Sequence, residues 1–193
     1  MRISRRPTAA DPGRRQALRL AAWAGLAGGL AVIRPAAAQP YRELKWEQLV
    51  PEDWDPLKDF KDLDFGAGLS DNDPRAQALY DRLRQIWDAA PTVPAMNGQR
   101  VRLPGFIVPL DGDADGLASF LLVPYFGACI HTPPPPANQI VHVVPARPVR
   151  GFRSMDAVWV QGLLSTERSD SEMGVSSYKL RATGVERYVE RPR

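Results

Sequence analysis

The sequence predicts a mainly β fold with some helix (α+β): a small antiparallel OB-like barrel with one packed helix and an extended N-terminal arm. Three observations predict it. A single stretch with helical period spans residues 74–90, the period changes to two-residue alternation after Asn97, and short β-rich runs then follow one another between Gly, Pro and Asp turns. A β-sandwich is the rival that the same runs allow.

The first 38 residues stand apart from that fold. A basic front, an apolar middle from Leu20 to Ile33 and the small-residue stop Ala36-Ala37-Ala38 follow the order of a secretory signal, so a mature chain starting at Gln39 is expected. The apolar run is short and rich in Ala and Gly, so no retained membrane span is expected. Arg14-Arg15-Gln16-Ala17-Leu18-Arg19 resembles the twin-arginine export consensus, with Ala17 where a bulkier apolar residue is usual. Either route leads to the periplasm. Seven of the 25 basic residues and one of the 22 acidic ones lie in this leader; the remaining 18 and 21 turn the formal charge from +3 to −3. With no Lys/Arg cluster left among aromatics, nucleic-acid binding loses its electrostatic basis. Residues 39–193 suffice for one globular domain: arm 39–70, helix 74–90 and barrel 97–190.

In the arm, Trp46, Leu49, Val50, Trp54, Leu57, Phe60 and Phe65 are spread among acids, which predicts an extended segment with a helical turn near 43–49, anchored by its apolar side chains. Asp73 caps the helix, Pro74 suits its first position and Pro91 ends it. Ala76, Leu79, Tyr80, Leu83, Ile86, Trp87 and Ala90 form its apolar face. The first strand runs through Val101, Leu103, Phe106, Val108 and Leu110, with a bulge or bend at Pro104-Gly105. Further strands are expected at 117–123, 139–145, 156–167 and near 174–183. Asp111, Asp113 and Asp115 alternate like the start of a calcium loop, but the twelfth position is Leu122, so a solvated hairpin turn is the reading.

The chemistry is concentrated in "FLLVPYFGACIHTPPPPANQIVHV", residues 120–143, which holds the single cysteine and both histidines of the chain. A lone cysteine makes no intramolecular disulfide, so it is a buried hydrophobe, a ligand or a reactive thiol. Cys129 and His131, two apart, share a side of an extended backbone. Pro133, Pro134, Pro135 and Pro136 favour a stiff polyproline II rod, after which Asn138-Gln139 leads into a strand carrying His142 on the face of Ile140 and Val144. A chain reversal there would gather one thiolate and two imidazoles, Cys129, His131 and His142, a set suited to zinc or copper. A fourth ligand would come from a carboxylate, water or a partner. Two other readings remain. The proline loop, with Asn138 and Gln139, docks on a partner; or Cys129, a histidine and Asn138 form a thiol-dependent enzyme site, although all three lie in one loop.

This window, together with the "LPGFIVPL" strand at 103–110, resembles the signature of the bacterial exported family known as domain of unknown function 3299, over a region from about Leu44 to Arg181. The resemblance implies a small exported protein with no established reaction. Relatives encoded beside transition-metal-responsive ABC importer components extend that implication to a non-enzymatic, periplasmic metal-handling accessory, with an ABC-transporter component or another periplasmic protein as partner.

Overall fold

The computed structural model describes residues 40–55, 58, 73–129 and 134–189. These belong to one compact unit, Gln39–Arg193. The expected leader, the arm anchors Leu57, Phe60 and Phe65, and the site residues His131 and Pro133 lie outside the described residues.

Five strands close a barrel: β2 (Arg100–Asp113), β3 (Gly116–Val123), β4 (Val141–Pro145), β5 (Ala157–Ser165) and β8 (Tyr178–Arg187). A short β1 (Arg42–Glu43) and a hairpin of β6 (Ser169–Ser171) and β7 (Gly174–Ser176) lie outside the ring. The order is β2-β3-β4-β8-β5, and β5 returns to β2, so no barrel edge is left unpaired. Four of the five junctions are antiparallel. The β4–β8 pair, from Val141↔Tyr178 to Pro145↔Ala182, is the parallel exception in a ring that is predominantly antiparallel, as expected. Its cause is the chain path: β5 is laid against β2 before β8 fills the gap between β5 and β4. The fifth strand also starts later than 174, because Gly174–Ser176 pairs with Ser169–Ser171 across a tight turn instead.

β2 serves two partners. Residues Arg100 to Phe106 pair with β5, and Phe106 to Asp113 with β3. The register is unbroken through Pro104 and Gly105; the shifts fall at Pro109/Asp111 and Asp111/Gly112, so the bulge lies further along than its sequence signal. Gly105 is needed where the strand changes partner, since a Cβ there would stand 2.7 Å from the Val123 carbonyl. "DGDADG" closes the β2–β3 hairpin as expected, with Asp113 accepting from the Asp115 N–H at 2.7 Å and Arg150 pairing with Asp115.

Period-two alternation sends Val101, Leu103, Ile107, Leu122, Val143 and Val160 into the barrel with Phe120, Tyr178 and Leu180, all essentially inaccessible to solvent. Full burial of each large side chain contributes roughly 1.5–3 kcal/mol. A second, smaller cluster of Val108, Leu121, Val123, Ala128 and Ile140 lies on the outer face. β2 is therefore apolar on both faces beyond Phe106, which splits the single apolar run read from its sequence.

The helix α1 (Pro74–Asp88) begins as expected, with the Asp73 carboxylate accepting from the Arg75 N–H at 2.8 Å and Pro74 in the first turn. It packs on β7 rather than on a broad barrel face, and Arg168 donates to the carbonyl of Asp88. Ala76 is buried while Leu79, Leu83, Ile86 and Trp87 are half-buried. A closed barrel needs no helix to seal it, which explains the shallow seat. Among the described residues no helix is long and apolar enough to cross a membrane.

Tyr178 locks the arm down. Its wholly buried hydroxyl donates to the Leu49 carbonyl at 2.8 Å and accepts from the Val93 N–H at 2.7 Å. The arm's 3-10 turn, Trp46–Leu49, adds a bond from the Trp46 indole to the Pro104 carbonyl at 2.7 Å. Tyr178→Phe leaves both groups without their partner, and a stability loss of about 1–3 kcal/mol in urea unfolding is expected.

Candidate functional site

The window begins where β3 ends. Val123 leads through Pro124 into a turn over residues 125–129 that carries Cys129 at φ 64°, in the left-handed region. The extended geometry that would align Cys129 with a residue two positions on therefore does not hold at Cys129 itself; a turn has to be closed there before the chain enters the prolines. The thiol is free and half-buried, packed on the outer cluster of Val108, Leu121, Val123, Ala128 and Ile140. Burial pushes it up to about 11.

The described part of the proline run is packed into the fold. Pro135 is buried and Pro134 and Pro136 are partly covered, with Pro136 at φ −53°, ψ 147°, close to polyproline II. A 3-10 turn, Ala137–Gln139, then delivers the chain to β4. Asn138 is fully buried and donates to the Pro91 carbonyl at 3.0 Å, while its Oδ1 has no partner. Gln139 donates to the Trp46 carbonyl at 2.9 Å, and the Ala137 carbonyl accepts from the Ser177 N–H at 2.8 Å. Pro135, Asn138 and Gln139 thus make internal contacts. Among the described residues of the window the large exposed side chains are Tyr125 and Phe126, at 45% and 66% exposure, with Phe126 edge-on to Phe106 at 5.9 Å.

His142 sits in β4 between Leu121 of β3 and Lys179 of β8, its direct cross-strand partners. Paired residues share a face, so His142 adjoins the cluster on which Cys129 rests through Leu121, a member of that cluster. Its Nδ1 is buried and has no hydrogen-bond partner. Desolvation first, and the Lys179 charge second, hold its imidazole below the usual range against an opposing pull from Glu167, so the neutral form prevails at neutral pH. Lys179 is itself paired with Glu167. Among the described residues no three His, Cys, Asp or Glu side chains come together as a ready metal site.

The sequence reading missed two sulfurs. Met155 and Met173 pack on the same outer cluster as Cys129, and the Met155 Sδ accepts from the Gly127 N–H at 3.1 Å. Their signal is isolation: each is a lone apolar residue in a polar turn, "RSMDA" and "SEMGV", without the periodicity of a core methionine.

A family model for a protein of unknown function, DUF3299, matches residues 46–187. A solved DUF3299 family protein from Pseudomonas aeruginosa PAO1 is 37% identical, with TM-score 0.62, covering 80% of this chain and all of its own. A small single-stranded DNA-binding protein from Streptomyces coelicolor overlaps 48% of this chain and 96% of its own at 18% identity and TM-score 0.31, too slight a likeness to carry an argument. No curated protein matches.

A thiol at about 11 instead of 9.0 carries roughly a hundredfold less thiolate near neutral pH. Alkylation of the metal-free protein by iodoacetamide at pH 8 is expected to be slower than that of the urea-unfolded chain by a comparable factor, read by mass spectrometry.

Proposed function

The chain belongs to the DUF3299 family, and on that footing we propose that it is an exported, non-enzymatic accessory that binds one transition-metal ion, zinc or copper, for uptake or delivery. The observation that carries this reading is the buried, unpartnered Nδ1 of His142 beside the cluster that seats Cys129. A buried polar atom without a partner costs about 1–3 kcal/mol, and a bound ion would satisfy it. The neutral imidazole is the ligand-competent form. His131, two positions after Cys129, is the third soft donor of the sequence. Export to the periplasm, and a transporter component as recipient, rest on the leader and on the family resemblance.

The enzyme reading fares worse on the same geometry. A nucleophile needs a depressed thiol pKa, whereas burial raises this one, and Asn138 is turned to Pro91. A docking module is the second reading, favoured by the exposed Tyr125 and Phe126 rather than by the proline run, whose Pro135 is buried.

Titration of the purified protein with zinc and with copper, followed by desalting and elemental analysis, is expected to retain one equivalent of one of them. Cys129→Ser and His142→Ala should each lower the retained metal to background with the melting transition intact. Retention of neither ion by folded protein would leave the docking module. In that case Phe126→Ala, not a proline substitution, is the variant that should weaken partner capture.

A further inference from the structure

Resting on that metal-binding reading, we propose that the ion is monovalent copper and that Met155 and Met173 join Cys129 as its thioether donors. The chain has four methionines. Met1 opens the leader and Met96 is buried with the barrel core; the other two both pack on the small outer cluster that also holds the only cysteine. Three sulfurs thus meet one patch of five buried side chains.

Their placement is specific. The Gly127 N–H donates to the Met155 sulfur at 3.1 Å, which ties the thioether to the turn that carries Cys129 two residues later. Met155 is itself fastened to β2, its N–H donating to the Ile107 carbonyl at 2.7 Å. Met173 stands at the tip of the β6–β7 hairpin, whose next residue, Gly174, lies so close to the cluster that a Cβ would come within 3.4 Å of Ile140 Cδ1 and 3.2 Å of Pro134 Cβ. His142, with its unpartnered Nδ1, pairs with Leu121 on the same face.

Ligand softness selects the ion. Thioethers and thiolates favour Cu(I), while zinc draws on thiolate, imidazole and carboxylate. Charge balance points the same way. Cu(I) displaces one proton from the Cys129 thiol and forms one S–Cu bond, and the resulting thiolate–Cu(I) unit has zero net charge. The thioethers and the imidazole add only lone pairs. Zn(II) on the same single thiolate would leave a positive charge on a half-buried apolar patch.

The test is affinity measured against chromophoric chelators, anaerobically for Cu(I) and separately for Zn(II), on the wild-type protein, Met155→Leu, Met173→Leu and the double variant. Leucine keeps the volume, so folding should persist, and melting curves verify it. Wild-type protein is expected to hold one equivalent of Cu(I) at least about a hundredfold more tightly than Zn(II). The double variant should lose about tenfold or more in Cu(I) affinity with Zn(II) affinity unchanged. Wild-type Cu(I) affinity in the double variant, or tighter binding of Zn(II) than of Cu(I), overturns the copper assignment, while an equivalent of metal lost only in Cys129→Ser leaves the metal-binding reading standing. If folded wild-type protein binds neither ion, both fall together.

Discussion

Closure of the barrel through one long strand is the constraint on which the rest depends. β2 pairs with β5 along its first half and with β3 along its second, and the change of partner is sterically possible because Gly105 allows the Val123 carbonyl to approach. Gly162 plays the same part where β5 crosses β8, since a Cβ there would run into the Arg181 carbonyl. Once closed, the interior is filled by Phe120, Tyr178 and the branched residues around them. The outer face of β2 and β3 is also apolar, so it must be covered, and the cover is where unusual chemistry can be placed.

That cover is held from several directions. The loop after the prolines is bonded to the Pro91 carbonyl through Asn138 and to Trp46 through Gln139, while Tyr178 ties both the Leu49 and Val93 backbones to the barrel. Pro134 to Pro136 have little conformational entropy to lose, which spares the fold part of the cost of ordering that stretch before β4. Met155 and Met173, the latter at the tip of the β6–β7 hairpin, pack on the same cluster.

Features set by local chemistry were legible in the sequence. Asp73-Pro74 and Pro91 bound the helix to within two residues of Pro74–Asp88, and Asp-Gly turn chemistry placed the β2–β3 hairpin. Features set by the path of the chain were not. The parallel β4–β8 pair depends on which gap remains when β8 is laid down, and no periodicity records that. The apolar run of β2 did not show its phase across Pro104-Gly105: Leu103 and Ile107 point inward, Phe106 and Val108 outward. Of the candidate site, Cys129 and His142 were legible as residue types, and their shared neighbour Leu121 became visible through the register. The left-handed backbone at Cys129 left no trace in its own residue type, since glycine is what such a position usually advertises.

The raised thiol of Cys129 and the proposed metal-binding role would both follow from one environment. Half-burial against aliphatic side chains penalises a net charge, not a bond. The protonated thiol is neutral and tolerated; the bare thiolate is charged and disfavoured, which lowers the nucleophilicity of the sulfur near neutral pH. A thiolate neutralised by a monovalent cation is again neutral, so on the proposed reading the same apolar wall that suppresses the thiolate would accept the complex. His142 obeys the same rule, because desolvation and Lys179 favour its uncharged ring. The pairing of Lys179 with Glu167 keeps the adjoining strand from presenting an unbalanced cation to that face. On the proposed reading, a cover built to seal one side of a small barrel becomes selective for charge-neutral coordination without any donor set designed for a divalent ion.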